Sequence, residues 1–307
     1  MRNVYLANAK KTKNDEFYTR YDDVEQEVSA YVDNNPNVFH NKIILLPCDD
    51  PESSNFTKYF MANFINFGLK KLISTSYSFT GKGKIAINGL DWEYLDGDGD
   101  FRSNEVSKLR DEADIIITNP PFSLFREFLM WAVDANKQFL LVGNINAITY
   151  KQVFPLIRDN KVWLGVTRGD KWYITPNGEK RRLGNTCWFT NLTHGLRYRP
   201  LPLKTMAENL QHSKHAGIRQ AGCYKTYDNY AAIEVPFTDA IPSDYSGVMG
   251  VPISFLTKYC PEQFEILGTG EKNGKGLSNG LWDKNSKIQH AMVDGMQVYC
   301  RIFIRHR

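Results

Sequence analysis

A chain of 307 residues, 42% hydrophobic and 23% charged, is long enough for one large core or two domains and has an ordinary globular composition. No stretch approaches the roughly 20 apolar residues of a membrane span, and no apolar segment of signal-peptide length opens the chain, so neither a membrane nor secretion is expected. The net charge of +4 hides an asymmetry: residues 1–150 carry 16 Lys and Arg against 21 Asp and Glu, whereas residues 151–307 carry 22 against 13. Such a basic half suits a polyanionic partner or, more plainly, a solvated basic face. Cys48, Cys187, Cys223, Cys260 and Cys300 never fall in C-x-x-C spacing, which points to reduced thiols in a cytoplasmic protein and to no metal site.

Taken in chain order, residues 1–13 are polar and basic and read as a mobile arm. Within residues 14–32, Val24, Val28, Tyr31 and Val32 recur at helical spacing behind an acidic turn, with Phe17, Tyr18 and Thr19 just before it. Residues 41–47 (N-K-I-I-L-L-P) read as a buried strand, followed by the loop C-D-D-P-E-S-S-N and a helix through F-T-K-Y-F-M-A-N-F. Residues 70–76 are the next strand, after which the glycine-rich residues 81–89 read as an exposed insertion. The acidic run at residues 96–100 invites comparison with a calcium loop, but Phe101 and Ser107 stand where an EF-hand counted from Asp96 needs Gly and Glu, so calcium is not expected.

Residues 115–122 read I-I-I-T-N-P-P-F. The isoleucines form a short buried strand that must stop after Thr118, because Pro120 and Pro121 have no N–H to offer a ladder. Fixed φ at both prolines, with Asn119 held extended before them, aims the Asn119 amide and the Pro120 carbonyl one way and sets Phe122 beside them. Two acceptors and an aromatic face suit a flat ring with an exocyclic amine, whose hydrogens would go to Asn119 and Pro120 while Phe122 stacks. The bland alternative is an Asn-Pro-Pro turn closing a core strand.

Residues 123–134 then form a helix with Leu124, Phe128 and Trp131 on one face and Ser123 as N-cap. Residues 138–144 are a central strand, 150–158 a helix and 161–166 a strand. This alternation predicts an α/β fold with a doubly wound, mostly parallel sheet, extending to about residue 175. From residue 176 the strands become short and aromatic, prolines recur, and Lys and Arg cluster at 180–182 and 197–199, which marks a smaller basic region. The polar residues 207–222 read as a flexible loop.

The stretch D-I-I-I-T-N-P-P-F-S-L-F-R-E-F-L at 114–129, with K-K-T-K-N-D-E-F-Y-T-R-Y at 10–21, G-D-G-D-F-R-S at 97–103 and D-Y-S-G-V-M-G-V-P-I-S-F-L at 244–256, resembles the EcoRI-type adenine-specific DNA methyltransferases. These are a branch of the S-adenosylmethionine-dependent amino methyltransferases that carry an Asn/Asp-Pro-Pro-aromatic motif. The resemblance runs from about residue 10 to the C-terminus and is weakest over 175–221 and 270–297.

It implies a Rossmann-like catalytic domain over residues 14–175 and a target-recognition region over 176–307, part of which, about 244–260, packs back on the catalytic domain. It implies sequence-specific transfer of a methyl group from S-adenosyl-L-methionine to the 6-amino group of an adenine flipped out of double-stranded DNA, as in restriction–modification. Asn119, Pro120, Pro121 and Phe122 would be catalytic. Tyr18 and Thr19 would pack over the methionine end of the cofactor, Asp100 would accept from its adenine amine, and Phe101 would stack on that ring. Trp172 or Tyr173 would pack the other face of the target base.

The first loop departs from the wider superfamily's glycine-rich turn, so Asp49, Asp50 and Asn55 would hold the cofactor through side chains, with Asp49 suited to its ammonium group. The strand at 70–76 ends without the acid that usually grips the ribose. A monomer with no obligatory protein partner, in the cytoplasm of a bacterial or phage-infected cell, completes the expectation. The competing readings are the same chemistry on RNA or a protein glutamine, and a non-catalytic DNA-binding protein with a methyltransferase shell. A dinucleotide oxidoreductase does not fit, since no G-x-G-x-x-G follows any predicted strand.

Overall fold

The computed structural model describes residues 19–89, 91–174, 180–270 and 291–307, with the backbone alone over 168–174 and 180–183. The chain divides into two units, residues 1–145 with 163–195 and residues 146–162 with 196–307. No helix among the described residues is long and apolar enough to cross a membrane.

The first unit is built on one sheet of β1 (Ile43–Leu46), β2 (Lys71–Ser76), β3 (Lys84–Ile87), β4 (Trp92–Tyr94), β5 (Ile115–Thr118), β6 (Gln138–Asn144), β7 (Trp163–Ile174) and β8 (Lys180–Thr190). Their order is β4-β3-β2-β1-β5-β6-β8-β7. Only β2, β1, β5 and β6 run parallel. The β2–β3, β3–β4, β6–β8 and β7–β8 pairs are antiparallel, so the sheet is mixed where a mostly parallel one was expected. Connection length explains the difference. The links from β2 to β3 and from β7 to β8 are shorter than the roughly dozen residues that a parallel crossover needs. Residues 81–89, expected as an exposed insertion, instead carry β3, with Ile85 and Ala86 buried. The basic residues 180–182 likewise lie in β8, within this first unit.

β1 and β5 are buried at every position, as strands covered on both faces must be. Over one face lie α1 (Tyr21–Asn34) and α2 (Asn55–Ala62). Val24, Val28 and Tyr31 of α1, with Phe56, Tyr59 and Phe60 of α2, close on Ile44, Leu46, Ile115, Ile117, Leu140 and Val142. Two more helices, α3 (Asn104–Glu112) and α4 (Phe125–Asp134), precede β5 and β6. Ser123 does not cap α4, as the helix begins at Phe125 after Leu124 with no side-chain cap, and buries Phe125, Phe128, Leu129 and Ala132.

Glu27 of α1 is fully buried. Its carboxylate accepts hydrogen bonds from Tyr31 Oη at 3.0 Å, Val166 N at 2.9 Å and Thr167 N at 2.6 Å. Those amides lie where the β7–β8 register shifts between Leu164 and Arg168, so the acid satisfies donors that a bulge has taken out of the ladder. Burial pushes its carboxyl up, opposed by these hydrogen bonds.

The second unit contains α5 (Phe154–Arg158), α6 (Met206–His212) and α7 (Ala216–Ala221). Residues 207–222, expected as a loop, are thus largely helical, and a capping box between Thr205 and Glu208 starts α6. The helix expected at 150–158 shortens to α5, because Pro155 fits only in a first turn. β9 (Ile233–Glu234), β10 (Met249–Pro252), β11 (Phe264–Thr269) and β14 (Arg301–His306) form a sheet in the order β11-β14-β10-β9. β12 (Met292–Val293) and β13 (Met296–Gln297) form a hairpin whose turn, Asp294 and Gly295, has positive φ at both residues. The motif at 244–256 supplies β10, where Met249 and Val251 are fully buried. Arg301 pairs with Glu234 at 2.6 Å beside the Tyr227 hydroxyl, a mostly buried ion pair inside this unit.

Candidate functional site

Strand order reverses between β1 and β5: the chain leaves β1 toward β2, β3 and β4, and restarts at β5 toward β6. In an open α/β sheet the crevice at the carboxyl ends of two such strands is the natural ligand site. A cavity of about 620 Å³ opens there, lined by the segments that follow β1, β2 and β5 together with the turn at 99–102.

Thr19, Asp49, Asp50, Asn55, Asp100, Phe101, Asn119 and Pro121 share its wall. Thr19 is 4% exposed; its carbonyl accepts from Asn55 Nδ2 at 2.8 Å. The Thr19 hydroxyl oxygen is buried with no hydrogen-bond partner among the described residues, a group awaiting a polar ligand. Asp49 is 5% exposed, and accepts from Ser54 Oγ through Oδ1 and from Thr118 Oγ1 through Oδ2, both at 2.6 Å. Burial pushes its carboxyl up to about 7, with the two hydroxyls pulling the other way.

Asp50 behaves in the opposite sense. Burial raises its carboxyl, but bonds from Ser53 N and Oγ and from Glu52 N, helped by Lys84 at 3.4 Å, outweigh it and hold the group below the usual carboxylate range. Lys84 of β3 also pairs with Glu52 and lies 4.2 Å from the Trp92 ring centroid, so the antiparallel strands clamp the loop that carries Asp50.

On the turn at 99–102, Asp100 accepts from Arg102 N and Nε at 2.9 Å and from Nη2 at 2.6 Å, so the carboxylate that faces the cavity is shared with a guanidinium. Phe101 is 5% exposed and lies 4.9 Å from Phe128 and 5.6 Å from Trp131, centroid to centroid. At Gly99, φ is +81°, and a Cβ would overlap the Ser76 carbonyl oxygen; at Gly83 a Cβ would lie 2.5 Å from that same oxygen. Two glycines therefore let three backbone segments close the wall beneath Ser76 and Tyr77.

Pro120 and Phe122 are not on the wall: Pro120 is buried and Phe122 packs against the cluster beneath α1 and α2. Tyr18 lies outside the described residues. Trp172 and Tyr173 are described by backbone alone, on β7 opposite Arg182 and Arg181 of β8. Four residues that sequence reasoning passed over belong to the site: Ser54, Tyr77 and Arg102 on the wall, and Thr118 on Asp49. Two carried a signal. Tyr77 follows directly on a parallel strand, and Thr118 is a hydroxyl in an otherwise isoleucine strand.

The donor set of the cavity fits S-adenosylmethionine. Asp49, Asp50 and Asp100 against Arg102 suit a cationic amino acid joined to a nucleoside, the orphaned Thr19 hydroxyl adds a polar contact, and Phe101 and Tyr77 add apolar ring surface.

The family described as "Adenine-specific methyltransferase EcoRI" matches residues 5–84 and 79–307. The chain is 42% identical to the Type II methyltransferase M.EcoRI of Escherichia coli, over 94% of this chain and 98% of that one. It is 35% identical to the Type II methyltransferase M.MgeORF184P of Mycoplasma genitalium, over 98% of each chain. Identity to the Type II methyltransferase M.MpnI of Mycoplasma pneumoniae is 34%, over 99% of this chain and 98% of that one. No solved structure matches the chain. With the match spanning nearly every residue and the N-P-P-F segment standing at the switch-point cavity, the chain belongs to the EcoRI family of adenine-specific methyltransferases.

Proposed function

We propose that the switch-point cavity holds S-adenosylmethionine and that residues 119–122 present to it the 6-amino group of an adenine flipped out of duplex DNA. The enzyme is a site-specific DNA adenine methyltransferase. The observation that carries the site reading is that Asn119 and Pro121 share one cavity wall with Asp49, Asp100 and Phe101.

When bound, S-adenosylmethionine supplies an electrophilic methyl carbon on a sulfonium. Asp49 takes the ammonium group on lone pairs that Ser54 and Thr118 leave open, a carboxylate having roughly four acceptor sites. Thr19 would flank the methionine end, the place also assigned to Tyr18, which lies outside the described residues. Asp100, steadied by Arg102, accepts from the adenine amine of the cofactor, and Phe101 packs its ring. Ser76 and Tyr77 stand in for the missing ribose-gripping acid at the end of β2. On the acceptor side, Asn119 Oδ1 and the Pro120 carbonyl accept hydrogen bonds from the two amine N–H groups and stabilise the positive charge that develops on nitrogen. Pro120 and Phe122, both off the cavity wall, are assigned to the target base and not to the donor.

An amine inside a base pair is closed to in-line attack, so the adenine leaves the stack at a cost of a few kcal/mol. Its other face is assigned to Trp172 or Tyr173, whose side chains lie outside the described residues. The phosphate backbone and the flanking bases are assigned to the region 176–307. The enzyme acts as a monomer in the cytoplasm of a bacterial or phage-infected cell, in restriction–modification.

Incubation with labelled S-adenosylmethionine and duplex DNA, RNA or protein, followed by nucleoside analysis, should give N6-methyladenine in DNA within one sequence context. Label confined to RNA or to protein would refute the reading.

The ionisation of Asp49 makes a second expectation. Its free carboxyl is protonated below about 7, and an ammonium ligand favours the ionised form, so binding at lower pH must expel that proton. Cofactor affinity should therefore fall as pH falls below about 7, approaching about tenfold per pH unit. Calorimetric titration between pH 5.5 and 8 would check it; an affinity flat with pH would take Asp49 off the ammonium group.

A further inference from the structure

We propose that Thr118 and Asp49 are a positioning pair that bolts residues 119–122 to the floor of the cofactor cavity across the gap between β1 and β5. The proposal rests on the reading of that cavity as the methyl-donor site.

The gap follows from the topology. Among the described residues the β1–β5 ladder joins only Ile44 to Ile115 and Leu45 to Ile116. β5 continues to Thr118, paired on its other side with Leu141 of β6, while β1 ends at Leu46 and its chain turns toward Asp49. The two strands therefore splay at their carboxyl ends, which opens the crevice beside the start of the 119–122 loop. Thr118 Oγ1 spans that opening by donating to Asp49 Oδ2 at 2.6 Å, from a side chain that is fully buried.

Asp49 is itself tied down. Its N–H donates to the Thr75 carbonyl at 2.9 Å, beside β1 on the other flank. Its Oδ1 accepts from Ser54 Oγ, and that hydroxyl caps α2 by accepting from Phe56 N at 3.1 Å. One residue thus joins the ends of β1, β2 and β5 to the start of α2, through its backbone N–H to β2 and its carboxylate to β5 and α2. The two 2.6 Å O–H···O contacts fall in the range of bonds to an ionised acceptor, roughly twice as strong as neutral ones. A carboxylate that accepts both hydroxyls holds Thr118 in one rotamer, and Asn119 is the next residue. Since Asp49 is also the group assigned to the ammonium ion, donor binding and acceptor-loop geometry meet in a single side chain.

The test compares Thr118→Val, which keeps shape and removes the hydroxyl, with Thr118→Ser, which keeps the hydroxyl. Both are measured at about pH 9, because losing the Thr118 hydroxyl removes a bond that lowers the Asp49 carboxyl, by calorimetry with S-adenosylmethionine, by hydrogen exchange of the amides of Asn119, Phe122, Ser123 and Leu124, and by single-turnover methylation of duplex DNA. Thr118→Val should bind S-adenosylmethionine within about threefold of wild type, exchange the loop amides at least about tenfold faster and methylate about tenfold more slowly; Thr118→Ser should stay within about threefold in all three.

Wild-type exchange and rate in Thr118→Val would overturn the pairing, and so would a loss confined to cofactor affinity. If Thr118→Val does not fold, the serine variant decides: a loosened loop with the hydroxyl present overturns the proposal, whereas a wild-type loop and rate support it. Failure of the wild-type enzyme to methylate DNA would instead sink the site reading itself, a distinct outcome.

Discussion

Asn119→Ala should lower the methyl-transfer rate by about 10³-fold while S-adenosylmethionine still binds within about threefold. The reason lies in which step the side chain serves. Asn119 follows a strand that pairs with β6 through Thr118, which anchors the start of the loop. By accepting a hydrogen bond from one amine N–H, the amide oxygen pushes electron density onto the target nitrogen, an interaction that strengthens as positive charge develops there. Its removal costs transition-state stabilisation and little donor binding. Single-turnover rates alongside calorimetric titration separate the two quantities. A variant that methylates at the wild-type rate would remove Asn119 from the chemistry, and one that merely lost cofactor affinity would move it to the donor side.

The second large effect is expected at Gly99. Its φ of +81° lies in the left-handed region, and a Cβ would overlap the backbone oxygen of Ser76, which cannot move aside as a flexible side chain would. The conformational cost of about 1–2 kcal/mol and the overlap cost of about 1–3 kcal/mol both fall on the wall that carries Asp100 and Phe101. Gly99→Ala should therefore weaken S-adenosylmethionine binding by at least about 30-fold and lower the melting temperature by several degrees. Gly97→Ala is the control, because a Cβ there meets only Glu105 Oε2 at 3.3 Å, the far end of a flexible side chain. Equal effects of the two substitutions would show that the turn tolerates rebuilding and that Gly99 has no special part in the wall.

Asp49 and Asp50 show how one acidic dipeptide yields two unlike groups. Asp49, on the cavity wall, has hydroxyls as its side-chain partners among the described residues, whereas Asp50 faces backbone amides and Lys84. Their carboxyls shift in opposite directions from the same starting chemistry, because burial dominates the first and hydrogen bonds with a nearby cation dominate the second. This division leaves Asp49 as the titrating group of the site near neutral pH.

By itself the sequence determined the central strands and the position of the acceptor loop. I-I-L-L, I-I-I-T and F-L-L-V are short apolar runs bounded by turn residues, as strands buried on both faces require, and N-P-P-F must end the strand it follows because proline offers no donor. Local chemistry was enough for those. Only the tertiary structure decided what the polar groups do. Glu27 reads as one more acid on a charged helix, yet it is buried, because the amides of a bulge more than a hundred residues away need an acceptor. Residues 81–89 read as a loop, since glycine weakens any strand signal, yet the β2 edge recruits them into the sheet. Thr118 and Ser54 became partners of Asp49, and Arg102 the partner of Asp100, through contacts that depend on how strand ends splay and turns close. Hydrophobic pattern is written along the chain within a few residues, but the hydrogen-bond partner of a buried carboxylate is set by distant segments, and folding alone brings those together.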